Sequence, residues 1–143
     1  HHVSYFLERD RIMFLGDSGG LFVESFLAPT TPFPFNYDKA MRSIIRMLSF
    51  DPKYVAYTHF GLHDNATKNL LEYMGQLYLW FSTVSAISNN ALDPDTVLRE
   101  IIKSDPETRE FMEKVRKNPV LSGAVMHSIH GFIKYIEYIK QNQ

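Results

Sequence analysis

Hydrophobic residues in the first third of the chain follow the short period of β-strands. Residues 3–8 are rich in β-branched and aromatic types, and residues 11–15 end in a continuous apolar run. Continuous apolar strands are typical of sheets that are buried on both faces. Residues 53–58 repeat the strand pattern. The sequence therefore predicts three main strands before residue 60.

The remaining hydrophobic pattern is helical. Apolar residues at positions 41, 44, 45 and 48 predict a helix from about residue 36 or 38 to residue 50, and residues 65–88 predict a longer one. Three further helices are indicated by an Asp or Asn followed by Pro, since the first residue caps a helix and Pro suits its first turn. These pairs are Asp93-Pro94, Asp105-Pro106 and Asn118-Pro119.

The order strand, strand, helix, strand predicts a mixed α/β unit that is followed by helices. We assign residues 1–62 to the α/β part and residues 63–143 to a helical C-terminal extension. The helix at 65–88 is apolar nearly all round and carries Tyr and Trp side chains, which are enriched in interfaces. We therefore expect the extension to pack on the first part or to form a homodimer interface.

Composition excludes several functional classes. The chain has 143 residues, a formal net charge of -1 and no run of Lys or Arg, so no broad nucleic-acid footprint is expected. It has no cysteine, which excludes disulfides, thiolate metal ligands and cysteine nucleophiles within it. No stretch approaches the roughly 18 apolar residues of a membrane span. We expect a cytoplasmic protein without membrane or nucleic-acid partners.

Two polar segments follow predicted strands. Gly16-Asp17-Ser18 ends the second strand, and Thr58-His59 ends the third. Ligands in open α/β sheets gather beyond the carboxyl ends of strands, and a carboxylate with a neutral imidazole suits Zn²⁺, Fe or Mn²⁺. On spacing alone a structural role remains open for both, because aspartate after a strand is often a turn former.

The same residues resemble motifs of the metallo-β-lactamase-fold hydrolase superfamily, which includes glyoxalase II-like and lactonase-like enzymes. Residues 11–18 resemble its hydrophobic strand ending in Gly-Asp-Ser/Thr, and residues 54–61 resemble its later strand ending in a His-containing turn. Residues 2–5 resemble the end of the motif His-Thr-x-Gly-His-x-Ser. The resemblance covers about residues 1–62.

The resemblance implies the C-terminal half of an αβ/βα sandwich with a mixed sheet. It implies that Asp17 bridges two divalent metal ions and that His59 binds one of them, with zinc as the expected metal and Fe or Mn as alternatives. His2 and Ser18 are expected to support these ligands without binding the metal. Aromatic residues of the following loop either border the substrate or pack against the sheet. They are Phe22, Phe33 and Phe35.

The implied activity is hydrolysis of a small ester, thioester or lactone by metal-bound hydroxide. No residue of this chain is assigned a catalytic role beyond metal binding. The family motif His-x-His-x-Asp-His is absent from the sequence. We therefore expect the active site to require an N-terminal half, and the chain alone to be inactive. Two alternatives are a non-catalytic binding or oligomerisation module and a hydrolase that uses Ser18 as its nucleophile.

Overall fold

The computed structural model describes residues 3–23, 25–59, 61–88 and 92–142. The chain forms two compact units. The first comprises His1–Thr30 and Asp38–Gln76, and the second comprises Thr31–Tyr37 and Leu77–Gln143. The two compact units divide between Gln76 and Leu77, inside a continuous helix. The predicted domain boundary after residue 62 stays a prediction.

The strands belong to the first unit, and the fifth follows a helix. They are β1 (Tyr5–Leu7), β2 (Ile12–Gly16), β3 (Leu21–Val23), β4 (Phe26–Ala28), β5 (Tyr54–Tyr57) and β6 (Leu62–His63). One sheet has the order β1-β2-β5-β6, and β3 and β4 form a separate antiparallel pair. In the larger sheet β2 and β5 are parallel, whereas β1 and β6 pair antiparallel with their neighbours. The predicted α/β class with a mixed sheet is confirmed.

Helix α1 (Tyr37–Leu48) connects β2 to β5. Two parallel neighbours need such a crossover, because the chain must return to the same end of the sheet. Met13 of β2 and Val55 of β5 are buried, as are Ile44 and Met47 of α1. These side chains form part of the core of the first unit.

Helix α2 (Ala66–Ile87) follows β6 and runs through the point where the compact units divide. It is succeeded by α3 (Pro94–Ser104), α4 (Pro106–Val115) and α5 (Pro119–Gln141). The three predicted caps are confirmed. Asp93 accepts from the N–H of Thr96 at 3.0 Å, Asp105 accepts from Glu107, and Asn118 accepts from Val120 and Leu121.

In the second unit, hydrogen bonds join the proline-containing segment 31–37 to α5. The N–H of Thr31 donates to Ser128 Oγ at 3.2 Å, and the Thr31 hydroxyl donates to the Ser128 carbonyl at 2.9 Å. A Cβ at Gly131 would lie 1.6 Å from the Thr31 carbonyl oxygen, so only glycine permits this approach. The ring of Phe35 packs edge-on against Phe132 at 4.8 Å between centroids.

Among the described residues, no helix combines the length and the apolar character that crossing a lipid bilayer requires.

Candidate metal site

The candidate ligands follow the ends of neighbouring parallel strands. Gly16 at the end of β2 lies opposite Tyr57 at the end of β5, after an irregularity in register between Phe14 and Gly16. Asp17 comes one residue after Gly16, and His59 comes two residues after Tyr57. Both positions therefore leave the sheet at the same edge, with Asp17 partly buried and His59 exposed.

Asp17 opens a single 3₁₀ turn, Asp17–Gly19, that is held between two glycines. Gly16 has φ 57° and Gly20 has φ 85°, which are values that side chains strongly disfavour. The N–H of Gly20 donates to the Asp17 carbonyl at 3.2 Å and closes the turn. The backbone of Asp17 is thus fixed by local conformation.

The turn also rests on buried side chains. A Cβ at Gly19 would lie 2.3 Å from Leu15 Cδ1, and one at Gly20 would lie 2.5 Å from the ring of Tyr73 on α2. The Ser4 hydroxyl donates to the Leu15 carbonyl at 3.0 Å, which fixes the end of β2 from the other side. Packing therefore holds the Asp17 turn against the helix.

Tyr73 is a buried, neutral phenol beneath this turn. It is 2% exposed, and its hydroxyl oxygen accepts from the N–H of Thr30 at 3.4 Å. Burial raises the pKa of Tyr73 well above its usual range, the bond from Thr30 opposes this effect, and the negative charge of Asp17 adds to it. The hydroxyl is therefore protonated throughout the physiological range.

His59 lies in the tight connection between β5 and β6. The N–H of Tyr57 donates to the Gly61 carbonyl at 3.0 Å, and Gly61 has φ 92°. The Tyr57 side chain points into the first unit and is 7% exposed. Burial raises the pKa of Tyr57, and Glu72 and Tyr73 raise it further. Its hydroxyl finds no hydrogen-bond partner in the described part of the chain.

An aromatic cluster adjoins the end of β5. Phe22 of β3 lies 5.4 Å from Tyr57 and 4.1 Å from His63, measured between ring centroids, and Tyr57 lies 5.6 Å from His63. Sequence reasoning gave no role to Tyr57, Tyr73 or His63. The alternation of β5 places Tyr57 on the buried side. Tyr73 lies on a helix far along the chain from Asp17, and no sequence signal connects the two.

The other predicted site residues have different surroundings. Ser18 lies in the turn with Asp17 and is partly buried, whereas His2 falls outside the described residues. Phe33 is 66% exposed, and Phe35 contacts Phe132 and Tyr135 in the second unit. The predicted roles of these residues beside a metal or a substrate stay predictions.

The donor chemistry of Asp17 and His59 suits a borderline divalent cation. Among the described residues, no group of three or more His, Cys, Asp or Glu side chains is arranged to hold a metal ion. A zinc site in a protein takes at least three protein ligands. These two residues therefore fit a metal as part of a larger ligand set.

Comparison with known proteins finds a protein that is similar to part of this chain. No family model matches the chain. A metallo-β-lactamase fold-containing protein of Sulfurisphaera tokodaii is 37% identical over 62 residues, which are 43% of this chain and 23% of the relative. The predicted resemblance to the metallo-β-lactamase superfamily is confirmed. The match spans less than a quarter of the curated relative's length.

The crystal structure that the chain resembles is of this same relative, since both are named ST1585. The crystal structure of an archaeal metallo-β-lactamase superfamily protein from Sulfolobus tokodaii is 27% identical, with a TM-score of 0.44. The similarity covers 71% of this chain and 39% of that chain. Neither name states a substrate.

Proposed function

We propose that this chain contributes part of the active site of a metal-dependent hydrolase of the metallo-β-lactamase superfamily. The observation that carries the proposal is the pairing of Gly16 with Tyr57. Because of this pairing, Asp17 and His59 follow the ends of adjacent strands at the same edge of the sheet. The curated relative supports the superfamily. The substrate class that we propose is a small ester, thioester or lactone.

In this proposal the Asp17 carboxylate and the His59 imidazole hold divalent cations, with zinc as the first choice and Fe or Mn as alternatives. A bound cation of this kind polarises a carbonyl group and lowers the pKa of water. Asp17 is suited to the role because its turn is fixed by Gly16 and Gly20 and is packed on Tyr73. A ligand on a rigid turn loses little conformational freedom when it binds metal.

We propose that the remaining ligands come from residues outside the described part of the chain. Asp17 and His59 supply two donors, whereas a catalytic zinc site takes three protein ligands and keeps one position open for water or substrate. The proposed hydrolase activity accordingly belongs to the natural full-length protein.

Phe22 is the residue that we propose as part of the substrate pocket. Its ring stacks with Tyr57 and lies tilted against His63, and this cluster adjoins the strand end that leads to His59. An aromatic wall of this kind favours the apolar part of an acyl or aryl substrate. The buried Tyr57 hydroxyl adds a neutral hydrogen-bond donor to the same cluster.

Metal content of the natural full-length protein tests the proposal. We expect Asp17→Asn and His59→Gln each to lower bound zinc, iron or manganese and to abolish hydrolysis across a panel of aryl esters, thioesters and lactones. Asp64→Asn and His130→Gln are matched controls, since both side chains are exposed and neither is a proposed ligand. Unchanged metal content in Asp17→Asn would refute the assignment.

A further inference from the structure

Charged residues are divided unevenly between the two edges of the four-stranded sheet. We call the edge that is followed by Asp17 and His59 the ligand edge. Residues 12–30 and 54–67 include the ends of β2 and β5 and the turns that follow them, and they contain no Lys or Arg. Every residue of formal charge within these two stretches is a carboxylate. The ligand edge therefore receives no Lys or Arg from its own strands and turns.

Three of the four Lys and Arg residues nearest to these stretches along the chain lie at the opposite edge, where β2 and β5 begin. Arg11 precedes β2, and its guanidinium donates to the Asp51 carbonyl at 2.9 Å. Lys53 precedes β5, and its N–H donates to the Arg11 carbonyl at 2.9 Å. Lys68 of α2 lines the same groove as Lys53. A strand rises about 3.3 Å per residue, so β2 separates the two edges by roughly 15 Å.

The electrostatic surroundings of the ligand edge are negative. Charges that are separated by more than about 8–10 Å are largely screened at physiological ionic strength, so the cations of the opposite edge contribute little here. The fourth neighbour along the chain, Lys39, is exposed in the first turn of α1. The charges that act on the buried phenols near the candidate ligands are both negative, namely Glu72 on Tyr57 and Asp17 on Tyr73.

Aromatic side chains form the surface next to this edge. The partly buried ring of Phe22 lies 5.4 Å from Tyr57 and 4.1 Å from His63, measured between ring centroids. An uncharged acyl or aryl group that leaves water for such a surface gains apolar contact. An anionic group loses its hydration there and meets no cationic side chain in exchange.

We propose that this chain makes the active site selective for substrates that are uncharged beyond the reacting carbonyl. The substrate class is an ester, thioester or lactone with a neutral acyl or aryl part, and a remote carboxylate, sulfonate or phosphate is disfavoured. This inference rests on the proposed hydrolase function, because it concerns the same edge of the sheet. A bound cation acts on the reacting carbonyl of neutral and anionic substrates alike, so the side chains of the ligand edge distinguish the two.

Two esters of nearly equal shape test the inference on the natural full-length protein with its metal bound. The compound para-(methylsulfonyl)phenyl acetate is neutral, whereas para-sulfophenyl acetate has an anionic oxygen in place of the methyl group. Dividing each kcat/KM by the rate constant for hydrolysis by hydroxide corrects for intrinsic reactivity. We expect the corrected value to be at least about tenfold higher for the neutral ester. An equal or lower value would overturn the inference.

A substitution tests whether the side chains of this chain cause the preference. Phe22→Arg places a guanidinium at the ligand edge, so kcat/KM for the sulfonate relative to the neutral ester should rise at least about tenfold. Ile45→Arg on α1 is the matched control, since Ile45 is 56% exposed, and it should leave this ratio unchanged. An unchanged ratio in Phe22→Arg, or the same change in both variants, would overturn the inference. The comparison of the two esters on the unsubstituted protein stands even if Phe22→Arg folds poorly.

A binding measurement separates this inference from the hydrolase proposal. The corresponding aryl methyl ethers are not hydrolysed, and saturation-transfer NMR measures their affinities for the same protein. We expect the neutral ether to bind more tightly than the sulfonate, and the reverse order would overturn the inference. If the neutral ether binds more tightly but neither ester is hydrolysed, the hydrolase proposal fails and the charge preference stands. If both esters are hydrolysed with equal corrected values, the charge preference fails and the hydrolase proposal stands.

Discussion

Gly16 and Tyr57 lie opposite each other at the ends of parallel strands, and this pair sets the starting points of both candidate ligands. The strands are fixed by buried residues such as Leu15 and Val55, which are each 0% exposed. A site that begins from two such strands inherits their rigidity. The position of Asp17 and His59 is therefore a consequence of core packing as well as of the local turns.

Gly20→Ala should destabilise the protein. Gly20 has φ 85°, and an added Cβ would lie 2.5 Å from the Tyr73 ring. Strain and overpacking together should lower the free energy of unfolding by about 2–4 kcal/mol. Urea denaturation measures the change. Gly75→Ala is the control, because a Cβ there meets no atom within 4 Å and alanine favours the interior of α2.

Gly131→Ala tests the contact between segment 31–37 and α5. The added Cβ would lie 1.6 Å from the Thr31 carbonyl oxygen, so the segment must move away from the helix. We expect a loss of roughly 2–3 kcal/mol in the free energy of unfolding. Gly123→Ala on the same helix has open space around its Cβ and should be neutral or stabilising. Similar values for the two alanine variants would contradict the contact.

Alkaline pH should destabilise the protein through its buried phenols. Burial raises the pKa of Tyr57 and of Tyr73 above the ordinary value of 10.0, so the unfolded chain loses these protons first. Their stabilising contribution is full below pH 10 and is lost as pH rises toward the folded pKa, by up to about 1.4 kcal/mol per pH unit for each group.

Urea denaturation between pH 8 and pH 11 measures this loss. Tyr57→Phe and Tyr73→Phe should each flatten the decline in the free energy of unfolding above pH 10. Tyr78→Phe is the control, because Tyr78 is 63% exposed. If the free energy of unfolding of all three variants falls with pH as steeply as that of the unsubstituted protein, ionisation of the buried phenols does not cause the loss of stability at alkaline pH.

The cap of α4 should contribute more stability than the cap of α3. Asp105 is 5% exposed, accepts from the N–H of Glu107 at 3.1 Å and accepts from the Thr108 hydroxyl at 2.5 Å. Asp105→Ala leaves a buried hydroxyl without its partner and should cost about 2–3 kcal/mol. Asp93→Ala, at an exposed cap, should cost about 1 kcal/mol or less. Thermal unfolding ranks the two variants, and the reverse order would contradict the account.

The features that the sequence predicted correctly are those that depend on residues close together along the chain. The three Asp/Asn-Pro pairs mark helix starts because both the cap and the ring act within one turn. The β2 and β5 strands were predicted from their apolar runs. By contrast, β4 and β6 have three and two residues, which is too short for a period to emerge. Their pairing depends on neighbours that the pattern does not identify.

The sequence predicted the candidate ligands, but it did not predict the residues that hold them in place. Asp17 and His59 stand out because each follows an apolar strand. Tyr73 supports the Asp17 turn through contact with Gly20, and Thr31 contacts Gly131 across a long stretch of sequence. Contacts of this kind depend on how elements pack, and packing leaves no fixed spacing along the chain.

The most direct test of the proposed metal site is a zinc-edge anomalous X-ray map of the natural full-length protein. We predict zinc within roughly 2.0–2.3 Å of an Asp17 carboxylate oxygen and of a His59 ring nitrogen, in a single cluster of one or two ions. Zinc bound elsewhere, with neither side chain among its ligands, would contradict the central claim.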